Sequence, residues 1–376
     1  MAEQQTDKLL MKDGLNQAAI EHIAQIFTQA WSEFPVKDFI AYACQDLETL
    51  ELKQRIQQII QALGKVLPQP FEHSVPMLEG FARHWQVADP ESSLRGFPAW
   101  AVTDYIAEFG LEQPELALPL LKQFTPLFSS EFAIRPFIIQ HFELTQRYLQ
   151  QWVSDDDEHV RRLVSEGTRP RLPWGQQLPA LIKDPASSLP LLDQLVDDES
   201  EYVRRSVANH MNDIAKDHPQ LVIEMCQHWH QTPSKKRDWV IKHATRTLVK
   251  QGVPEVFELL GYEANPQLSA EIQLDQTQLV LGDSLEFSVQ LKPERKGSQK
   301  LVVDYAVHHM KANGELSAKV FKLKSLSLKQ PETLVKKHTI KKITTRRYYT
   351  GQHKLEVLVN GRAVAEKNFW LDVPED

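Results

Sequence analysis

Cysteine is almost missing from this chain. Cys44 and Cys226 are the only two in 376 residues, far apart and without partner spacing. That excludes a disulfide framework or a thiolate metal site and points to a reducing compartment. No uninterrupted apolar run approaches the ~18 residues of a membrane-spanning helix. The opening MAEQQTDKLLMKDGL contains no apolar core of signal-peptide length. A soluble, cytoplasmic protein is the expectation. The sequence also has no H-E-x-x-H, no paired C-x-x-C and no G-x-x-x-x-G-K-[ST]. His228 and His230 flank Trp229 without an evident third ligand, so no metal is expected.

What is present is globular. Hydrophobic residues make up 42% and charged residues 25%, which argues against wholesale disorder. The length allows two or three domains. The net charge of −7 is unfavourable for a nucleic-acid binder until it is divided along the chain. From Asn265 onward 18 Lys+Arg stand against 13 Asp+Glu, a balance of +5; the other 25 Lys+Arg and 37 Asp+Glu leave −12 for the first 264 residues. Local arrangement, not net charge, decides whether a face attracts phosphate.

The first two-thirds reads as helix. Ile20, Ile23, Ala24 and Phe27 recur at helical spacing, as do Leu52, Ile56, Ile59, Ile60 and Leu63, with a break at Phe34-Pro35. Residues 73–86 and 100–109 read as further amphipathic helices. Between about 114 and 261 the pattern becomes paired helices with acidic or proline turns. Asp156 to Val164 (DDEHVRRLV) aligns with Asp197 to Val207 (DDESEYVRRSV), which places Val160 and Val203 43 residues apart. Ser234 to Leu248 and Ser130 to Phe137 are weaker copies. Uneven self-similarity near ~40 residues, two helices per unit, predicts a HEAT-like helical-repeat solenoid. Inward valines push at least one arginine of each Val-Arg-Arg outward.

After Pro266 the pattern alternates instead. Strands are predicted over 271–274, 284–291, 301–307, 338–343 and 354–359, with turns at Gly282-Asp283, Asn313-Gly314 and Asn360-Gly361. About seven short strands in ~105 residues predict a small all-β immunoglobulin-like sandwich. The domains are therefore expected to be 1–264 (helical repeats) and 265–376 (sandwich), a mainly α chain with a β end. Lys336 to Arg347 reads KKHTIKKITTRR, six cations without an acid. It is open to two readings, a lysine-protected sheet edge or a phosphate-binding patch.

The stretch Asp155 to Trp174, DDDEHVRRLVSEGTRPRLPW, concentrates chemistry. An acid-capped helix delivers Arg161 and Arg162, ends near Glu166, and runs into a proline-stiffened loop ending in Trp174. A carboxylate at a helix C-terminus opposes the macrodipole, which makes Glu166 poorly explained by local structure. Pro170 and Pro173 restrict the loop that carries Trp174.

Several separated segments resemble, in the same order, the AlkC-type DNA glycosylases, relatives of AlkD. They are FPAW (Phe97–Trp100), SEFAIRPF (Ser130–Phe137), VRRLVSEGTRPRLPW (Val160–Trp174), SVANHMND (Ser206–Asp213) and WVIKHATR (Trp239–Arg246). The resemblance covers roughly residues 7 to 261, and the β region looks like the longer form that carries a C-terminal immunoglobulin-like domain. It implies hydrolysis of the N-glycosidic bond of bases alkylated at ring nitrogens, especially N3, in duplex DNA, without metal or organic cofactor. A base such as 3-methyladenine is already cationic and leaves neutral. The protein need only stabilise an oxocarbenium-like sugar and place a water, work suited to carboxylates. The site residues carried over are Glu131, Glu166 and Asp213 as carboxylates and Trp174 as a stacking face. Expected DNA contacts are Arg162, Arg169, Arg171, Arg205, Lys242 and Arg246, with Lys341, Lys342, Arg346 and Arg347 in the β domain. A monomer acting on alkylated double-stranded DNA is expected. The alternative is a non-catalytic helical-repeat scaffold binding damaged DNA or proteins, because fold alone does not establish catalysis. Glu131 and Glu166 on opposite faces would favour that alternative.

Overall fold

The computed structural model describes residues 10–87, 92, 94–232, 234–263, 265–343 and 346–374. The helices run α1 (Gln17–Ala30), α2 (Val36–Ala43), α3 (Leu52–Val66), α4 (Val75–His84), α5 (Phe97–Phe109), α6 (Pro114–Phe124), α7 (Arg135–Gln140) and α8 (Phe142–Trp152). Then come α9 (Glu158–Gly167), α10 (Pro179–Lys183), α11 (Leu189–Leu195), α12 (Glu201–Ile214), α13 (Pro219–His230), α14 (Lys235–Ala244), α15 (Arg246–Gln251) and α16 (Pro254–Leu259). No helix among the described residues is long and apolar enough to cross a membrane.

The helical periodicity is repaid by burial. Ile20, Ile23, Ala24 and Phe27 of α1 and Ile56, Ile59, Ile60 and Leu63 of α3 are all buried, each large side chain contributing roughly 1.5–3 kcal/mol. The self-similar segments repeat in atomic detail. Asp157 caps α9 by accepting the His159 N–H at 2.8 Å. Arg161 donates back to the carbonyls of Asp155 and Asp156 at 2.8 and 2.9 Å. On α12, Arg204 does the same to Asp198 and Glu199 at 2.5 and 2.9 Å. The first arginine of each pair therefore closes its own acidic turn, and α9 packs directly on α12. The copy at Ser234 to Leu248 is interrupted: Thr245 ends α14, and α15 starts anew.

The strands are β1 (Leu268–Leu274), β2 (Gln278–Val280), β3 (Ser284–Pro293), β4 (Gln299–Met310), β5 (Leu316–Leu328), β6 (Glu332–Thr339), β7 (Gly351–Val359) and β8 (Arg362–Asp372). They form a three-stranded sheet, β1-β3-β6, and a five-stranded sheet, β2-β8-β7-β4-β5. The two share one core built around Phe287, Val289, Tyr305, Val307, Leu355 and Val357. Asn360-Gly361 makes the β7–β8 turn with both residues at positive φ (47° and 78°), the backbone that such a two-residue turn demands. One strand expectation holds only in part. The predicted strand from His338 to Ile343 is only the end of β6, which stops at Thr339; beyond it Ile343 makes an isolated bridge to Arg346. Thr344 and Thr345 of the basic run lie outside the described residues.

The chain folds as two compact units, Met1–Asp217 and His218–Asp376. Secondary structure changes near the expected 264/265 division, while by close contact α13 to α16 group with the sheets. The reason is close packing that composition does not reveal. Gly252, at the left-handed end of α15, lies against Gly361 of the β7–β8 turn, and a Cβ on Gly361 would fall 2.3 Å from the Gly252 Cα and 2.8 Å from the Phe257 ring. Asn360 ties the same corner, its Nδ2 donating to the Glu263 carbonyl at 2.8 Å and its Oδ1 accepting the Val302 N–H at 2.7 Å. Gly361→Ala should cost the His218–Asp376 unit about 2–3 kcal/mol through this overlap and the positive φ. Urea unfolding of that unit, compared with wild type, measures it.

Candidate active site

The site is built from the end of α9 outward. Glu166 is the penultimate residue of α9 and is 3% exposed. Burying a lone carboxylate is costly, so partners are required. Arg169, three residues on, donates from Nη1 to Glu166 Oε2 at 2.9 Å. The same guanidinium reaches α12, with Nε 2.8 Å and Nη2 2.7 Å from Asp213 Oδ2. Asp213 is equally buried, and Lys216 Nζ holds its second oxygen at 2.9 Å. A single arginine thus bridges two of the expected carboxylates.

Arg162 makes the third link. Its Nη1 donates to Glu131 Oε2 at 2.6 Å and to Ser129 Oγ at 3.1 Å. Its Nη2 lies 3.7 Å from Glu166 Oε1, too long for a hydrogen bond. Its guanidinium also sits over the Tyr202 ring, 4.5 Å from the centroid. Burial opposes the charge on Arg162, but Glu131 and Glu166 outweigh it and hold its pKa above the ordinary value. Arg169 behaves alike, burial being outweighed by Glu166 and Asp213. Glu131 lies in the turn before α7, not inside a helix.

A cleft of about 370 Å³ opens over this network. Glu131, Arg162, Glu166, Arg169 and Asn209 supply its polar lining, and Phe97, Trp100, Phe128, Phe132 and Trp174 its aromatic walls. Glu131 and Glu166 therefore face one cleft, not opposite faces. Trp174 is 69% exposed and sits at φ 65°, a left-handed backbone that a non-glycine residue adopts only under constraint. The constraint comes from both sides. The Trp174 carbonyl accepts from Lys53 Nζ at 3.3 Å, and the Leu172 carbonyl accepts the Gly175 N–H at 3.2 Å.

Arg135 is the residue that sequence reasoning overlooks. It lies inside the SEFAIRPF segment, whose pattern alone assigns it no role. Fully buried, it donates to the Gly167 and Arg169 carbonyls at 2.9 and 2.8 Å and to the Gln176 carbonyl. One guanidinium thereby pins both limbs of the Gly167–Gln176 loop. Burial, with the charge of Arg169 adding to it, pulls the Arg135 pKa down to about 10. The aromatic wall of Phe97, Trp100, Phe128 and Phe132 is likewise not legible as a unit. Its members are scattered over 35 positions in the chain and meet only in space.

The expected phosphate contacts separate into groups. Arg169 is 8% exposed, lines the cleft and is paired with two carboxylates. Arg171 is bidentate on Asp217, both bonds 2.9 Å, and partly exposed. Arg205 is exposed and paired with Glu201 one turn away at 2.5 Å. In the other unit Lys242, Lys341, Lys342 and Arg347 are exposed; Arg346 is half-buried, and half-buried Arg246 donates to the His243 carbonyl at 2.6 Å. Arg347 lies over the Tyr349 ring at 5.5 Å. Among the described residues no group of three or more His, Cys, Asp or Glu is placed to hold a metal ion.

Residues 128–248 match the family described as "DNA alkylation repair enzyme", and residues 269–373 match "Uncharacterised protein YhaZ, C-terminal Ig-like domain". The chain is 35% identical to YhaZ of Bacillus subtilis over 363 residues, 96% of this chain and 98% of that protein. It is 36% identical, with a TM-score of 0.87, to a Pseudomonas fluorescens structure covering 96% of this chain and 99% of that one. That structure is the alkylpurine DNA glycosylase AlkC bound to DNA containing an abasic site analogue. The class is that of DNA alkylation repair proteins with an immunoglobulin-like C-terminus. Within it, the chain belongs to the AlkC-type glycosylase family.

The Arg169 geometry yields a stability test. Arg169→Met leaves two buried carboxylates facing each other and should cost about 3–5 kcal/mol. Urea unfolding of the variant measures the loss. A loosely held surface cation would instead leave stability unchanged and alter only the salt dependence of DNA binding.

Proposed function

We propose that this protein is a DNA glycosylase that hydrolyses the N-glycosidic bond of cationic alkylated bases, N3-methylated purines foremost, in duplex DNA. The observation that carries the reading is the convergence of Glu131 and Glu166 on one aromatic-walled cleft, with Arg162 and Arg169 between them and Asp213 holding Arg169 from behind. Only charge stabilisation is needed at the sugar, since the leaving base is already cationic. Glu166 Oε1 is the carboxylate oxygen best placed to supply it, because Oε2 is taken by Arg169 and, among the described residues, Oε1 has no closer cation than Arg162 at 3.7 Å. Both of the hydrogen bonds described for Glu131 fall on Oε2. Its carboxylate can share in stabilising the sugar or in holding the attacking water, as the carboxylates of glycoside hydrolases do. Asp213 keeps Arg169, and with it Glu166, in place. Trp174, raised at the exposed lip, offers its ring to the lesion or the neighbouring sugar.

In this reading the helices act as HEAT-like repeats that cradle the backbone, with Arg171, Arg205, Lys242 and Arg246 on phosphates. Lys341, Lys342, Arg346 and Arg347 add contacts from the immunoglobulin-like domain. The protein works as a monomer without metal or organic cofactor. The Pseudomonas fluorescens relative is an alkylpurine glycosylase bound to DNA, which supports the substrate class. The shared cleft of Glu131 and Glu166 weighs against a non-catalytic scaffold.

Purified protein, with chelator present, should release free 3-methyladenine from methylated duplex DNA. Glu166→Gln should slow single-turnover release by about 10²-fold or more while leaving DNA affinity near wild type. Release rates by chromatography of the free base, set beside a binding isotherm for each protein, provide the check. An unchanged rate removes Glu166 from the chemistry, and no release by wild type removes the reading.

A further inference from the structure

Behind the cleft, on α5, lies a carboxylate that the mechanism above does not use. Asp104 Oδ2 accepts the Trp100 indole N–H at 2.9 Å. Asp104 is not among the residues lining the cleft, but Trp100 is. The indole is the hub of the aromatic wall: Phe128 stacks with it at 4.9 Å and 11°, Phe132 at 5.6 Å and 25°, and Phe97 meets it edge-on at 5.5 Å. Phe132 is the chain neighbour of Glu131. An indole has one N–H, and fixing it fixes the rotation of the whole ring about its side-chain bonds.

The surroundings of Asp104 reinforce the connection. Lys53, Gln57 and Gln61 recur at four-residue spacing along α3, which packs on α5. Gln57 and Gln61 bond Glu108, one turn beyond Asp104, at 2.9 and 2.6 Å. Lys53 is close enough to favour the charged form of Asp104, and the same ammonium donates to the Trp174 carbonyl. The charge opposite Asp104 thus also holds the lip tryptophan.

We propose that Asp104 is a positioning residue for base excision. By accepting the Trp100 indole N–H it sets the ring against which Phe128 and Phe132 pack, and through Phe132 the place of Glu131. This rests on the glycosylase reading. Burial pushes the Asp104 carboxyl up to about 7; the Trp100 hydrogen bond opposes the rise, Glu108 adds to it and Lys53 opposes it. Because the indole bond favours ionised Asp104, ionisation strengthens that bond in turn. Asp104 is charged above about pH 7 and neutral below it, so a well-set wall, and fast excision, belong to the higher side.

The proposal is tested by single-turnover release of methylated base between about pH 6 and about pH 8 by wild type, Asp104→Asn, Trp100→Phe and the double variant. Asp104→Asn should be slower by roughly fivefold at the upper pH, the difference between a charge-assisted and a neutral hydrogen bond, and should lose the rising limb near pH 7. In the Trp100→Phe background the same substitution should change the rate less than about twofold, because the pair acts as a unit. Asp104→Glu, which keeps a displaced carboxylate, should retain the limb at a reduced rate, and it serves if the amide variant does not fold. Multiplying losses, or a wild-type rate and profile in Asp104→Asn, overturn the proposal. The DNA-free protein decides the link separately: the emission difference between wild type and Trp100→Phe should titrate near pH 7 and lose that titration when Asp104 is replaced by Asn. No titration overturns the Asp104–Trp100 coupling even if base is released. Titration without base release overturns the glycosylase reading and leaves the coupling standing.

Discussion

The arginine between Glu166 and Asp213 is the constraint on which this site depends. Two carboxylates on neighbouring helices, each about 3% exposed, carry a desolvation cost that a cation between them offsets. Arg169 satisfies Glu166 through one nitrogen and Asp213 through two, and in doing so fixes the end of α9 against α12. It leaves the second oxygen of Glu166 without an equally close cation. The same bridge therefore serves two ends that normally compete. It stabilises the buried charges and, in the proposed reaction, keeps one carboxylate oxygen available to a positive sugar.

A second buried cation holds the loop that makes such an arrangement possible. A chain leaving a helix at Gly167 and reaching Trp174 with positive φ would by itself sample many paths. Arg135 removes that freedom by taking three backbone carbonyls from the loop's two limbs, each bond satisfying an acceptor that burial would otherwise strand. Its guanidinium suits this use because its donors diverge in a fixed plane and it stays charged even when desolvation lowers its pKa. Arg135 and Arg169 repel each other, as the lowered Arg135 pKa reflects. The nearby carboxylates of Glu131, Asp213 and Glu166 offset that repulsion, so the two cations and three acids form one balanced unit.

How much of this the sequence discloses depends on the range of the interaction. Helix faces, the Asn360-Gly361 turn and the matching acidic turns before α9 and α12 are local, and their patterns are legible because their causes lie within a few residues. Glu166 stands out for the same reason: an acid at a helix end opposes its own dipole. The role of Arg169 is not legible. Next to Arg171 and two prolines it resembles a surface cation, and only the fold brings Asp213, 44 positions later, onto its guanidinium. The division at Asp217/His218 is hidden for a similar reason. Composition changes at Pro266, but the contact that unites α15 with the β7–β8 turn is between two glycines more than a hundred residues apart.

The repeat itself explains where such departures occur. In both copies the first arginine of the Val-Arg-Arg segment turns back to its own acidic loop, so that position is spent on structure. The second arginine is left to differ. On α12, Arg205 stays in solvent with Glu201; on α9, Arg162 is drawn inward to Glu131, Glu166 and Tyr202. What separates the two is the company supplied by non-repeated segments, the Ser129–Phe132 turn and the Gly167–Gln176 loop. Two self-similar helices thus present equivalent side chains, and the unlike segments beside them select which of them becomes part of a charged cleft.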